Sequence, residues 1–291
     1  MLRILLLLPV SIPFMFLFSC STNTSTADKD GPPENYAEIS GHFKADWAMN
    51  KLWDDGLAEV AVYDAERTVY GKQRYFEFTL ITVKEEFNQE FNVKTDDYSR
   101  PDLFTVMKVN QFCRIPTENY PYHYLTSVFI QREQPWALHK LTTSSQEWCG
   151  NTFKAITAKN DHFNQFYTSY FDGQGEGNRK LPKDILAEDQ LPYTLRSLQF
   201  KDSLTFKVNV LETQQTNKAG EPVIYQDALV NSGKIMLNKE SSWLVEVKLA
   251  ADKTNRYWFA KAYPNQLLQQ ETWDGRNLKL KNISRYAYWQ N

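Results

Sequence analysis

Cys149 stands in the run Gln146-Glu147-Trp148-Cys149-Gly150. A thiolate there would attack a carbonyl carbon if an imidazole, such as that of His162 or His139, lay beside it to take its proton. A cysteine next to a tryptophan at the start of a strand pattern reads more strongly as packing, or as half of a disulfide. The four histidines, His42, His123, His139 and His162, fall on separate elements. With no His-x-x-x-His or Cys-x-x-Cys spacing, no metal site is expected. The glycine-rich stretch Asp172-Gly173-Gln174-Gly175-Glu176-Gly177 is not followed by a helix start at phosphate-cradling spacing, so it reads as a turn. No Gly-x-Ser-x-Gly elbow occurs. The carboxylates are scattered, and a glycosidase pair would depend on a distance in space. No catalytic residue and no cofactor follow from these patterns.

The remaining cysteine, Cys20, has a different context. One cation, Arg3, precedes an apolar run from Ile4 to Phe18 that ends Leu17-Phe18-Ser19-Cys20. The run has about fifteen residues against the roughly twenty that a spanning helix needs, and it contains Pro9 and Pro13, so it reads as an export signal. Leu17-Phe18-Ser19-Cys20 resembles the lipobox of bacterial lipoproteins. The resemblance implies cleavage before Cys20, lipid on its thiol, and attachment to a membrane of the cell envelope. With Ser21 and Thr22 following and no Asp at the second position, the same resemblance implies the outer membrane. Residues 1–19 are then the signal and 20–35 a tether, since Ser, Thr, Asn, Asp, Gly and Pro dominate it and little apolar surface is there to offset ordering entropy. Residues 36–291 form the globular part, as one β-rich domain or as two β subdomains joined by a helix near 182–198.

The composition limits what that part does. Without Arg3 the chain has 32 Lys plus Arg against 35 Asp plus Glu, spread without blocks, so nucleic acid is not expected as a partner. Eight Trp, sixteen Tyr and eighteen Phe favour strands over helices. Val60 and Val62 alternate with polar or small residues, as do Phe76, Phe78 and Leu80 after Gly71, which predicts a hairpin with one buried face. Leu204, Phe206, Val208 and Val210 repeat the pattern, and Trp273-Asp274-Gly275-Arg276 carries a hairpin-turn signal. Two short helices are expected, at 45–53 and at 182–198, the second kinked by Pro192. The expected fold is mainly β: a curved antiparallel sheet or partly closed barrel with the two helices plugging or covering a face, or alternatively a β-sandwich.

Cys113 and Cys149 allow one pairing in an oxidising compartment, and the sequence leaves open whether they meet. The aromatic excess either fills a large core or lines an apolar cavity, with Trp148, Trp258, Phe259 and Trp273 as candidates. Gln146–Gly150, Tyr120-Pro121-Tyr122, Ser169-Tyr170-Phe171 and Tyr286-Ala287-Tyr288-Trp289 resemble a family of bacterial envelope lipoproteins of no assigned activity, whose members often carry the label septum formation inhibitor. That label properly names nucleotide pyrophosphatases with an alternating α/β fold and an N-terminal Ser-x-Ser-Pro-Arg-Arg signature. Neither stands in this chain, so the resemblance brings no catalytic residue. The last ninety residues or so are similar to the half-barrels of periplasmic lipoprotein carriers. The expected function is therefore a binding or envelope-maintenance lipoprotein holding an apolar or lipidic ligand. The alternative is an assembly subunit docking another envelope protein, and a hydrolase using Cys149 ranks below both.

Overall fold

The computed structural model describes residues 39–290. Cys20, the export signal and the tether lie outside the described residues. The strands are Ala58–Val69 (β1), Lys72–Asn88 (β2), Val93–Lys94 (β3), Leu103–Ile115 (β4), Tyr122–Gln131 (β5), Leu138–Glu147 (β6), Gly150–Ala158 (β7), His162–Ser169 (β8), Glu176–Pro182 (β9), Ile185–Ala187 (β10), Leu204–Leu211 (β11), Ile224–Leu237 (β12), Glu240–Ala250 (β13), Lys253–Ala260 (β14), Leu267–Glu271 (β15) and Asn277–Tyr286 (β16). They form one mainly antiparallel sheet, nearly closed into a barrel, in the order β10-β11-β12-β13-β14-β15-β16-β1-β2-β4-β5-β6-β7-β8-β9, with β3 paired to β2. The partly closed barrel is thus the form adopted, and the sandwich is not.

Local chemistry explains the hairpins. Val69 pairs with Lys72 across Tyr70 and Gly71, whose φ angles are +52° and +71°. A two-residue loop with both φ positive matches the right-handed twist of the flanking strands. Asn238 and Lys239 do the same between β12 and β13, with φ of +50° and +72°. At the Asp-Gly signal, Gly275 has φ +78° and its N–H donates to Thr272 O at 3.0 Å.

Alternation then fills the interior. Leu204, Phe206, Val208 and Val210 of β11, Val245, Val247 and Leu249 of β13, and Val128 and Ile130 of β5 belong to one buried cluster. At one end, the base, Ala58 pairs with Tyr286 and residues 43–54 are packed. At the other, the mouth, lie the Tyr70-Gly71 turn, the Trp148-Cys149 turn, the turn at 272–276 and the 212–223 connection between β11 and β12.

The two expected helices are corrected. Residues 45–53 form 3-10 turns, Trp47–Met49 and Lys51–Asp54. Residues 182–198 comprise the end of β9, then β10, a 3-10 turn at Glu188–Gln190, a four-residue helix Leu191–Thr194 (α1) and a 3-10 turn Leu195–Ser197. Pro192 sits in the first turn of α1, where its missing N–H costs nothing. The segment does not join two subdomains: the strands before and after it belong to one sheet, made continuous where β16 pairs with β1. Every residue from Glu188 to Leu198 is buried. The segment is a plug running through the interior from Glu188 at the mouth to Arg196 at the base. Leu191, Tyr193, Leu195 and Leu198 are at most 1% exposed, and burying each contributes roughly 1.5–3 kcal/mol, which offsets the burial of the polar residues among them.

Candidate functional site

The plug brings charge into the interior at both ends. At the base, Arg196 Nη1 and Nη2 donate to Glu59 Oε1 and Oε2 at 2.7 and 3.1 Å, and its Nε donates to Pro264 O at 3.0 Å. Trp47 and Trp53 lie 5.1 and 5.7 Å from the guanidinium. The charges of Arg196 and Glu59 are matched against each other within the fold, so the base reads as a structural lock.

The mouth is arranged differently. Glu188 accepts from Asn255 Nδ2 at 3.1 Å and is paired with Arg276, which also holds Asp274 at 2.8 Å. Burial works against the Arg276 guanidinium, but Glu188 and Asp274 outweigh it and hold its pKa above the ordinary arginine value. Asp189 Oδ1 accepts from Thr213 Oγ1 and its Oδ2 from Gln214 N, both at 2.7 Å. Thr213 and Gln214 open the 212–223 connection, which crosses the mouth as a strap.

Beyond Gln214 the strap offers oxygens to the wall cations, while Asn217 Nδ2 donates to Glu147 Oε1 at 3.0 Å and Ala219 N to Gln174 Oε1 at 2.5 Å. Arg67 on β1 donates from Nη1 to Gln215 O at 3.3 Å, with the Tyr124 ring 5.3 Å from its guanidinium. Lys154 on β7, 3% exposed, donates from Nζ to Lys218 O at 2.8 Å and Thr216 Oγ1 at 3.2 Å. Arg179 on β9 donates to Ala219 O and Gly220 O, both at 2.6 Å, and meets the strap's own Glu221 at 3.1 Å. Three wall cations thus grip one loop, and two of them, Arg67 and Lys154, have no carboxylate within ion-pair distance among the described residues. Burial pulls the Lys154 ammonium down to about 8, and Asp189 and Glu212 oppose it only through space.

The strap and plug enclose a cavity of about 40 Å³, lined among others by Arg67, Gln111, Cys113, Asp189, Gln270 and Arg276. Gln270 is 7% exposed, and its Oε1 has no hydrogen-bond partner. At roughly 10–15 Å³ per enclosed water, the space suits a few waters or a very small polar group. Acyl-sized ligands need roughly 300 Å³ or more.

The residues singled out in the sequence are not brought together. Cys113 and Cys149 are free thiols, one buried and one exposed, because Cys113 points inward from β4 while Cys149 tops the β6–β7 turn; the pairing is corrected. Burial pushes the Cys113 thiol up to about 12. Cys149 Sγ donates to Tyr120 Oη at 3.2 Å, whereas His162 pairs with Asp161 at 2.6 Å and His139 with Asn92 at 2.5 Å. Neither His139 nor His162, each held by its own partner, is placed to serve a thiol. Trp148 is 79% exposed and stacks on Tyr120. Phe259 is fully buried beside Tyr257 and Phe200. Trp258 alternates with those inward residues on β14 and lies outside their cluster, yet is itself covered, at 8% exposed. Trp273 is 43% exposed, with Lys253 Nζ 4.2 Å from its ring. Among the described residues no cluster of histidine, cysteine, aspartate and glutamate has metal-binding geometry, and no helix is long and apolar enough to cross a membrane.

No protein-family model matches the chain, and no curated protein matches it. Among solved structures the chain is similar to a DUF1089 family protein from Pseudomonas aeruginosa, at 16% identity over 64% of this chain and 87% of that one, with a TM-score of 0.36.

Proposed function

We propose that the chain is an envelope lipoprotein, anchored by lipid on Cys20 and facing a membrane surface, whose barrel holds a small polar ligand in its strapped mouth. The strap carries this reading: a twelve-residue connection, 212–223, is gripped by side chains from β1, β7 and β9 over a polar cavity, while the rest of the interior is packed with side chains. The space between strap and plug, about 40 Å³, is too small for an apolar or lipidic tail, and the larger grooves of about 650–700 Å³ beside Tyr75, Phe76 and Tyr98 are open to solvent, so the polar site is the more enclosed of the two kinds. The lipobox-like Leu17-Phe18-Ser19-Cys20 supports the anchor, since two or more acyl chains at about 0.8 kcal/mol per buried methylene hold a protein stably on a bilayer. The absence of Asp after Cys20 supports the outer membrane.

The test is a native mass spectrum of the lipoprotein extracted in mild detergent, set beside a denatured one. A reproducible extra mass of small-molecule size that is lost on denaturation supports the reading. A bare protein from every preparation removes it. Labelled palmitate entering the wild type but not Cys20→Ser checks the anchor.

A second reading, docking to another envelope protein, is favoured by the mouth's rim. Tyr70, Tyr75, Trp148 and Tyr170 are 74, 71, 79 and 69% exposed, on turns and strand ends that neighbour one another. Aromatic side chains of this kind are enriched at interfaces. Crosslinking in intact cells that repeatedly joins Trp148-turn residues to one partner would favour it over the ligand reading.

A further inference from the structure

The strap is divided along its length. Its first residues donate to acids: Thr213 N to Glu188 at 3.3 Å, and Thr213 Oγ1 and Gln214 N to Asp189 at 2.7 Å. Its later residues accept from cations: Gln215 O from Arg67, Lys218 O from Lys154, and Ala219 O and Gly220 O from Arg179. The acid-facing part is pinned further by the burial of Gln214 and Gln215. From Thr216 to Val223 only Ala219 is buried, so this part is held by polar contacts with little apolar burial. Such a segment opens locally at a small fraction of the global unfolding free energy.

A carbonyl dipole is a weak partner for a desolvated cation. Hydrogen bonds with one ionised partner are already stronger than neutral ones, and an anionic acceptor adds a second charge to the pair; guanidinium and ammonium groups are both common phosphate binders. Arg67 and Lys154 come from β1 and β7, and both contact the strap through neutral oxygens. Most acids of the mouth are committed elsewhere: Glu188 to Arg276 and Asn255, Asp189 to the strap residues that stay pinned, Asp274 to Arg276; Glu147 holds Asn217 of the strap at 3.0 Å, a neutral contact that lifting would also break.

Resting on the reading of the mouth as a polar ligand site, we propose that its ligand is a phosphate-type oxyanion, which takes Arg67 and Lys154 from the carbonyls of residues 215–218 and lifts the 216–221 part of the strap. The oxyanion is either free phosphate or the headgroup of an anionic phospholipid. Arg179, at the outer end, would release Ala219 and Gly220 in the same movement.

The experiment titrates the full lipidated protein in nonionic micelles with sodium phosphate, against sodium chloride of equal ionic strength. Heat of binding and hydrogen exchange across 212–223 are read together, and a parallel arm uses micelles doped with phosphatidylglycerol. Binding of phosphate, with faster exchange at 216–221 and unchanged exchange at 213–214, supports the proposal with the free anion as ligand. The same response only in the phosphatidylglycerol arm supports it with the headgroup as ligand. Arg67→Gln and Lys154→Met should each weaken binding about tenfold or more, the loss expected for one charge-assisted contact. Lys207→Gln, an exposed lysine on the outer face of β11, should leave it unchanged. Arg67→Lys, which keeps the charge, guards against a folding defect and should retain part of the affinity. No response in either arm overturns the oxyanion. In that case 216–221 exchanging ahead of β11 and β12 leaves the polar-ligand reading standing with an uncharged ligand, whereas protection equal to those strands removes both.

Discussion

Arg196 and Glu59 form a two-pronged ion pair, 2.7 and 3.1 Å, with both side chains 3% exposed. The pair ties the end of the plug to the start of β1, elements far apart in sequence. Removing one partner from a buried pair leaves an uncompensated charge, so Glu59→Ala is expected to destabilise the domain by about 3–5 kcal/mol. Replacing both, as in Glu59→Leu with Arg196→Met, is expected to cost much less, because the desolvation penalty disappears with the charges. Urea unfolding of the single and double variants measures this, and a double variant as unstable as the single one would contradict it.

Lys154 gives the stability a pH dependence. Its folded pKa is about 8 against an ordinary 10.5, lowered first by burial. Between these values the unfolded chain keeps the proton that the folded chain has lost. Stability from this group therefore rises with pH across that window, by on the order of 1.4 kcal/mol per pKa unit. Lys154→Met removes the term, so its advantage over wild type is expected to be largest below pH 8 and to shrink toward pH 10.5. Parallel denaturant titrations at pH 7.5 and 10 read the difference directly.

The thiols are expected to respond unequally to iodoacetamide. Cys149 is exposed, whereas Cys113 is buried and burial holds its thiol near 12, leaving almost no thiolate at neutral pH. In the folded protein Cys149 is expected to be alkylated and Cys113 spared, with both labelled in urea. Peptide mass mapping checks this, and a disulfide-linked peptide in the non-reduced digest would contradict the free thiols.

Gly150 opens β7 against Tyr170. A Cβ at that position would lie 2.4–2.6 Å from the Cβ, Cγ and Cδ1 of Tyr170, atoms close to the backbone that cannot swing clear. Gly150→Ala is expected to destabilise by about 1–3 kcal/mol, the usual cost of overpacking. Tyr170→Ala should relieve most of it, since Tyr170 is itself largely exposed. A thermal-melt cycle over the four combinations tests the coupling.

Much of the sheet is readable in the chain, because period-two alternation is a direct consequence of strand geometry. Val60 and Val62, Phe76 to Leu80, and Leu204 to Val210 all lie in strands, and the Asp274-Gly275 turn sits at the end of a hairpin. The 182–198 segment was harder, since leucines at helical spacing and a proline suited to a first turn describe a buried plug as well as a helix. The mouth has a signal that strand periodicity alone does reveal. Lys154 occupies the core-facing phase between Thr152 and Ile156, and Arg67 shares a face with Tyr63 and Ala65. A cation at an inward position marks an interior that is not apolar throughout. What paired with those cations was not legible, because the strap residues that meet them are polar, near the surface and more than sixty positions away.

The sheet joins the first long strand to the last. β1 pairs with β16, Ala58 opposite Tyr286, while the two edges, β9 and β10, come from the middle of the chain and are separated by Lys183 and Asp184 alone. A chain emerging from its N-terminus therefore holds β1 with one flank unpaired until β16 has appeared. Pairings of such sequence separation are slow, on the millisecond-to-second scale typical of high-contact-order domains. Completion of the barrel thus waits for β16, and until those residues emerge the half-made sheet stays open and available to chaperones.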